Sequence, residues 1–211
     1  MVSGTKQLKF AGLVVAVGLM FPTVAPVDAA DRDAPIALKA RAVSTMNISR
    51  ASSDRLDIEI SRWSTPEERA DLVGILETQG NRALADALKD RPETGWVRFD
   101  PRGGRGPGRD PRPSTLRYAW EMTKDGVREI TLVTNHYIGY GKDPLAADGA
   151  KLANFPVSFV LLKLRQDDDG DWKGVGRMFV GAKLRYDSVV GNLVIDEFPM
   201  DPVYLKDVTI K

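Results

Sequence analysis

The sequence predicts an α+β fold dominated by antiparallel strands: about nine strands in a curled sheet, closed as a barrel or split into two layers, with a helical pair inserted after the second strand. Three observations predict it. Apolar and polar residues alternate with a period of two over much of the chain beyond residue 55. One segment, 64–91, switches to helical periodicity and carries its own start and stop residues. Short Asp-Gly turns join successive strand segments, and strands joined that tightly must run antiparallel.

Each element follows in order. Residues 30–40 read as a flexible lead-in, and 41–211 as a single α+β domain. Leu56, Ile58 and Ile60 face one way and Asp57, Glu59 and Ser61 the other, the pattern of a half-buried strand; 42–50 is its predicted partner across a turn at Ser52-Ser53-Asp54. The helical pair spans 66–90. Thr65 is placed to cap, Pro66 fits the first helical position, and Glu68 completes a capping box. Leu72, Val73, Ile75 and Leu76 form an apolar face; Gly80 stops the first helix, and Asn81 starts a second that carries Leu84 and Leu88 to its end at Arg91-Pro92.

The remainder reads as strand. Gly95–Asp100 is followed by a hairpin over 115–134, in which Leu116, Tyr118, Trp120 and Met122 share a face and Lys124-Asp125-Gly126 turns the chain. Phe155–Arg165 and Trp172–Tyr186 make a second hairpin about Asp167–Gly170, and 192–198 with 202–210 a third, interrupted by Pro199 and Pro202. Gly174, Gly176 and Gly181 mark a bend or bulge, which points to strong curvature. Two long connections remain, the Arg/Gly/Pro-rich 101–113 and the segment 135–154.

The chain has 211 residues, 43% of them hydrophobic, enough for a real core. It contains no cysteine, which excludes disulfide stapling, thiolate metal sites and a cysteine nucleophile. Residues 1–29 read as a cleaved signal peptide: Lys6 and Lys9 precede the apolar run Phe10–Phe21, Pro22 breaks it, and Val27-Asp28-Ala29 offers small residues before a cut. That run is too short for a helix that needs about 20 residues to span a bilayer. Cleavage leaves 28 basic and 28 acidic residues, so the mature chain is formally neutral and carries no overall charge to draw nucleic acid. The expected location is the periplasm or the external medium.

The run Arg62-Trp63-Ser64-Thr65-Pro66-Glu67-Glu68-Arg69, with the helical pair behind it, and the tail Glu197–Val208 resemble a family of uncharacterised secreted bacterial proteins. The resemblance covers residues 55–211 and implies secretion and a strand–helices–sheet layout; the loop 101–113 is longer and more basic than that family's pattern. It brings no activity, ligand or catalytic residue.

Candidate chemistry is sparse. His136 is the one histidine, and no Gly-x-Ser-x-Gly elbow accompanies it. Asp167-Asp168-Asp169-Gly170-Asp171 has the acidity of a calcium loop but the wrong register for an EF-hand, and an Asp-Gly hairpin turn accounts for it. Glu67 and Glu68 are explained by the helix start, and neither they nor Glu77 has an identifiable carboxylate partner for glycoside hydrolysis. Arg102, Arg105, Arg109 and Arg112 make a basic segment suited to an anionic envelope polymer or lipid headgroup, or a solvated loop. Tyr118, Trp120 and Phe159 sit on strand faces that make either a filled core or a pocket for an apolar small molecule, with His136 nearby in a loop. These readings give an exported, non-catalytic protein that binds a ligand or envelope partner through its curved sheet and long loops. It has no expected cofactor, metal or nucleic-acid partner and no transmembrane segment once mature. The rivals are a secreted hydrolase using His136 and carboxylates, and a purely structural envelope protein.

Overall fold

The computed structural model describes residues 35–43, 53–100, 112–138, 152 and 154–211. The predicted signal segment, most of the lead-in, and Arg102, Arg105 and Arg109 lie outside the described residues. The elements are β1 (Ile36–Val43), β2 (Ser53–Ile60), α1 (Pro66–Lys89), β3 (Gly95–Phe99), β4 (Ser114–Leu116), β5 (Tyr118–Lys124), β6 (Val127–Thr134), β7 (Val157–Gln166), β8 (Trp172–Asp187), β9 (Asn192–Glu197) and β10 (Val203–Ile210).

Every strand pairing is antiparallel, in the order β4-β3-β2-β1-β10-β8-β7-β6-β5, with β9 paired to β8 alone. The two ends of that order, β4 and β5, are consecutive in the chain with only Arg117 between them. One bent strand therefore supplies both edges and brings the sheet round into a nearly closed barrel. The Arg117 N–H donates to the Val133 carbonyl at 3.0 Å, and the Ser64 N–H to the Ala119 carbonyl at 2.9 Å, which ties the seam. Curvature this tight needs close strand approach: a Cβ on Gly174 would sit 2.0 Å from the Lys163 carbonyl oxygen.

Three sequence expectations are corrected. The lead-in enters the sheet at Ile36, because β1 alternates buried and half-buried residues and pairs with both β2 and β10. The strand predicted at 42–50 begins earlier, at Ile36, and is described as far as Val43; 44–50 lie outside the described residues. The third hairpin does not form. The chain's last strand closes on β1 and β8, while β9 pairs with the far end of β8. The helical stretch runs as the single span α1, and its helical geometry breaks at Gly80, whose φ of 82° and ψ of −175° are non-helical, at the position where the sequence places the end of the first helix. Asn81, directly after the break, does not merely begin a helix. Its amide donates to the Leu184 carbonyl at 2.9 Å and accepts from the Leu184 N–H at 2.6 Å, so it stands in for a neighbouring strand at the edge of β8.

The third correction concerns faces. Leu116 and Ala119 point into the barrel with Leu56, Ile58, Leu132 and Leu162. Tyr118 and Trp120 point outward, with Phe159, Phe179 and the helix residues Leu72, Leu76, Leu84 and Leu88. The bend at Arg117 costs the strand one step of alternation, and one step moves every following side chain to the other face. The predicted row Leu116, Tyr118, Trp120, Met122 is therefore split between two cores. One fills the barrel; the other lies between its outer face and α1.

Candidate functional site

The element Arg62–Arg69 holds the helix to the barrel. Arg62 donates from both terminal nitrogens to Glu68, at 2.9 and 3.0 Å, and reaches the carbonyls of Glu93 and Pro92 beyond the far end of α1. Glu68 also accepts from the Thr65 N–H at 2.9 Å while Thr65 Oγ1 accepts from the Glu68 N–H at 3.2 Å, the expected capping box. The Arg62 hydrogen bonds, then the Thr65 N–H, hold the Glu68 carboxyl below its ordinary pKa against the opposing pull of burial. Trp63 is buried in the barrel core, and Ser64 Oγ accepts from the Ala119 N–H. Arg69 lies over the rings of Trp120, at 4.8 Å, and Tyr186, at 5.4 Å, and donates to the Gly191 carbonyl. Arg62, Ser64, Thr65, Glu68 and Arg69 thus each have a structural task.

Of the predicted ligand-binding residues, the structure brings Tyr118, Trp120 and Phe159 together and buries them, at 0%, 5% and 1% exposure, in the layer under α1. They pack a core rather than line an opening. His136 stands apart from them, exposed just beyond β6. Enough chain packs nearby for desolvation to lower its imidazole pKa, and the charges of Arg117 and Lys89 lower it further. Among the described residues the charged groups acting on it are cations, whereas a triad needs an acid behind the ring. The segment that carries it is pinned at Ser158, whose buried Oγ lies 2.7 Å from the His136 carbonyl and accepts from the Ile138 N–H. Arg112 is exposed at the entry to β4.

The acidic turn resolves as a hairpin turn. Asp167 Oδ1 accepts the N–H groups of Asp169 and Asp171, and its other oxygen pairs with Lys173, which lowers the Asp167 pKa and raises that of Lys173. Among the described residues, no cluster of three or more metal-ligating side chains occurs, and no helix is long and apolar enough to cross a membrane.

Sequence reasoning missed a different feature, on the same outer face as Tyr118 and Phe159 but beyond the reach of α1. Here an open groove of about 610 Å³ lies across the ends of β5, β6, β7 and β8. Strand register builds its floor. The paired residues Met122, Glu129, Lys163 and Val175 form one row across four strands. One step nearer the hairpin turns come the pairs Lys124–Val127 and Arg165–Lys173. The tip of the β8–β9 turn, Val189 and Val190, forms a wall. That turn reaches the groove because β8 leaves the barrel in its second half, and Asn192, where β9 begins, donates to Thr131 on the outer face of β6 at 2.9 Å.

The groove's charges are unevenly matched. Lys163 pairs with Glu129 at 3.0 Å, and Lys173 with Asp167. Lys124 and Arg165 have no ion-pair partner among the described residues, and Arg165 stands directly opposite Lys173 across the β7–β8 ladder. Like charges facing each other on adjacent strands are unfavourable, and an anion between them turns that repulsion into attraction. Three exposed apolar side chains, Val175, Val189 and Val190, surround the cations. The signal available in the sequence is the change along β7 from Val157, Phe159 and Leu161 to Lys163 and Arg165 at the same alternate positions. Compared with protein-family models, curated proteins and solved structures, the chain matches none.

Proposed function

We propose that this chain is an exported, non-catalytic binding protein that takes an anionic component of the cell envelope at the groove on the outer face of β5–β8. The observation that carries the reading is the row in which Arg165 faces Lys173, with Lys124 beside them, all exposed on a floor that also offers apolar contacts. Four cations there meet the carboxylates of Glu129 and Asp125. The signal-like residues 1–29 and the resemblance to secreted proteins supply the location.

Binding of soluble short-chain phosphatidylglycerol and of a sulfated polysaccharide tests this, followed by thermal shift and calorimetry. Both ligands stabilise the protein, the effect weakens as salt rises, and the double variant K124Q/R165Q loses it while melting no lower than the parent on its own. Absence of any shift with a broad panel of anions overturns the reading. Binding that survives in K124Q/R165Q but disappears when 101–113 is deleted moves the site to Arg102, Arg105, Arg109 and Arg112.

A further inference from the structure

The β8–β9 turn pairs a well-built backbone with apolar side chains that the fold leaves in water. Asp187 Oδ1 accepts the N–H groups of both Val189 and Val190 at 3.1 Å, and the Gly191 N–H donates to the Asp187 carbonyl at 2.7 Å. Gly191 takes the positive φ of 70° that ends the turn, and its carbonyl is held by Arg69 from α1. The turn is therefore fixed from both sides. Yet Val189 is 92% exposed and Val190 47% exposed at its apex. Turn chemistry asks for Gly, Asp, Asn or Ser at such positions, and Asp187, Ser188 and Gly191 already provide it. The two valine side chains at the tip contribute nothing to the turn.

Their neighbours say what they meet. The valines line the same groove as Lys124, Lys163, Arg165 and Lys173, with Val175, 59% exposed, on its floor. An apolar projection beside a cluster of cations is the surface that an anionic bilayer fits: the aliphatic tip enters the boundary between headgroups and acyl chains, while the ammonium and guanidinium groups meet the phosphates. Lys163 and Lys173 are themselves more than half exposed, at 55% and 52%, even in their ion pairs, so their ammonium groups can turn to lipid phosphate. A soluble anion explains the cations but not the valines, and an apolar ligand explains the valines but not the cations.

We infer that the partner is the surface of an anionic phospholipid bilayer, into which the Val189–Val190 tip inserts while Lys124 and Arg165 hold headgroups. This inference rests on the groove reading above. The absence of cysteine makes its test simple, because Val189→Cys creates a unique labelling position in the full chain. That variant, carrying an environment-sensitive fluorophore, is mixed with phosphatidylcholine vesicles with and without phosphatidylglycerol; Lys39→Cys, on β1, is the control. The label at 189 brightens and shifts to the blue only with phosphatidylglycerol, and the label at 39 does not respond. In co-sedimentation, V189D/V190D binds these vesicles at least roughly tenfold more weakly than the parent, and each of K124Q and R165Q loses about fivefold, none of them with a lowered melting temperature. If short-chain phosphatidylglycerol or the sulfated polysaccharide binds but the label at 189 stays in water, insertion is overturned and the groove reading survives. If neither vesicles nor soluble anions bind, both fall.

Discussion

The outer face of strands β5 to β8 is two surfaces in one. Nearer the barrel seam, Tyr118, Trp120, Phe159 and Phe179 lie under α1 and are almost wholly removed from water. Further along the same strands, at the same alternate positions, Lys124, Lys163, Arg165 and Val175 lie open. Backbone pairing is continuous through both, so hydrogen bonding does not distinguish them. The difference is cover. Aromatic rings that bury large apolar areas hold the helix down, whereas among the described residues the cationic end has only the valine tip above it. The covered half carries stability, and the open half is free to carry binding.

Breaking the covered half has the largest effect. Trp120→Ala removes the ring that packs in this layer and lies under Arg69, and it costs about 3–5 kcal/mol, or roughly 6–20 °C in Tm for a domain of this size. Val175→Ala, on the same outer face in the open half, changes stability by no more than about 0.5 kcal/mol. Urea unfolding of the two variants beside the parent measures the contrast. Equal costs for both would mean that the two surfaces are one core.

Much of this division is legible in the sequence, and the physical reason is local. Along β7 the switch from Phe159 and Leu161 to Lys163 and Arg165 marks where cover ends, since a lysine is almost never fully buried unpaired. The capping box at Thr65 and Glu68 and the hairpins at Asp125-Gly126 and Asp167–Gly170 are likewise local, fixed by residues a few positions apart. What escaped was non-local or cumulative. Pairing of β10 with β1 joins the two ends of the domain, and no turn signal records it. The change of face at Arg117 is one step in an otherwise regular alternation, and it turned an apparently continuous row, Leu116 to Met122, into parts of two cores. The groove needed four strands and a distant turn to meet, so neither Lys124 nor Val189 stood out alone.

The tie that keeps the covered half closed is Arg62, and its loss has the next largest effect. Arg62→Ala leaves Glu68 without its bidentate partner and the carbonyls of Pro92 and Glu93 without a donor, at a cost of about 1.5–3 kcal/mol. Arg62→Lys recovers only part of it, because an ammonium lacks the planar fork. The same pair sets an acid limit. The Glu68 pKa is lowered in the folded protein, so its contribution is complete above the ordinary value of 4.5 and is lost as pH falls through the lowered one. Stability of the parent therefore declines across that acidic window, and Glu68→Gln, weaker at neutral pH, declines less steeply. Parallel slopes for the two proteins would show that Arg62 does not act through the Glu68 charge.

A small gain in stability is the most informative about the open half. Arg165 faces Lys173 without an ion-pair partner among the described residues, so Arg165→Gln removes a repulsion and raises stability by a few tenths of a kcal/mol, to about 1 at most. Added salt screens that repulsion, so the gain shrinks as ionic strength rises. The same substitution weakens binding of anionic vesicles or soluble anions, so stability and binding move in opposite directions at one position. A residue kept for the fold cannot behave this way, since its loss would lower both. If Arg165→Gln instead destabilises the protein at every salt concentration, Arg165 belongs with Arg62 among the residues that hold the barrel together, and the line between the covered and open surfaces has been drawn in the wrong place.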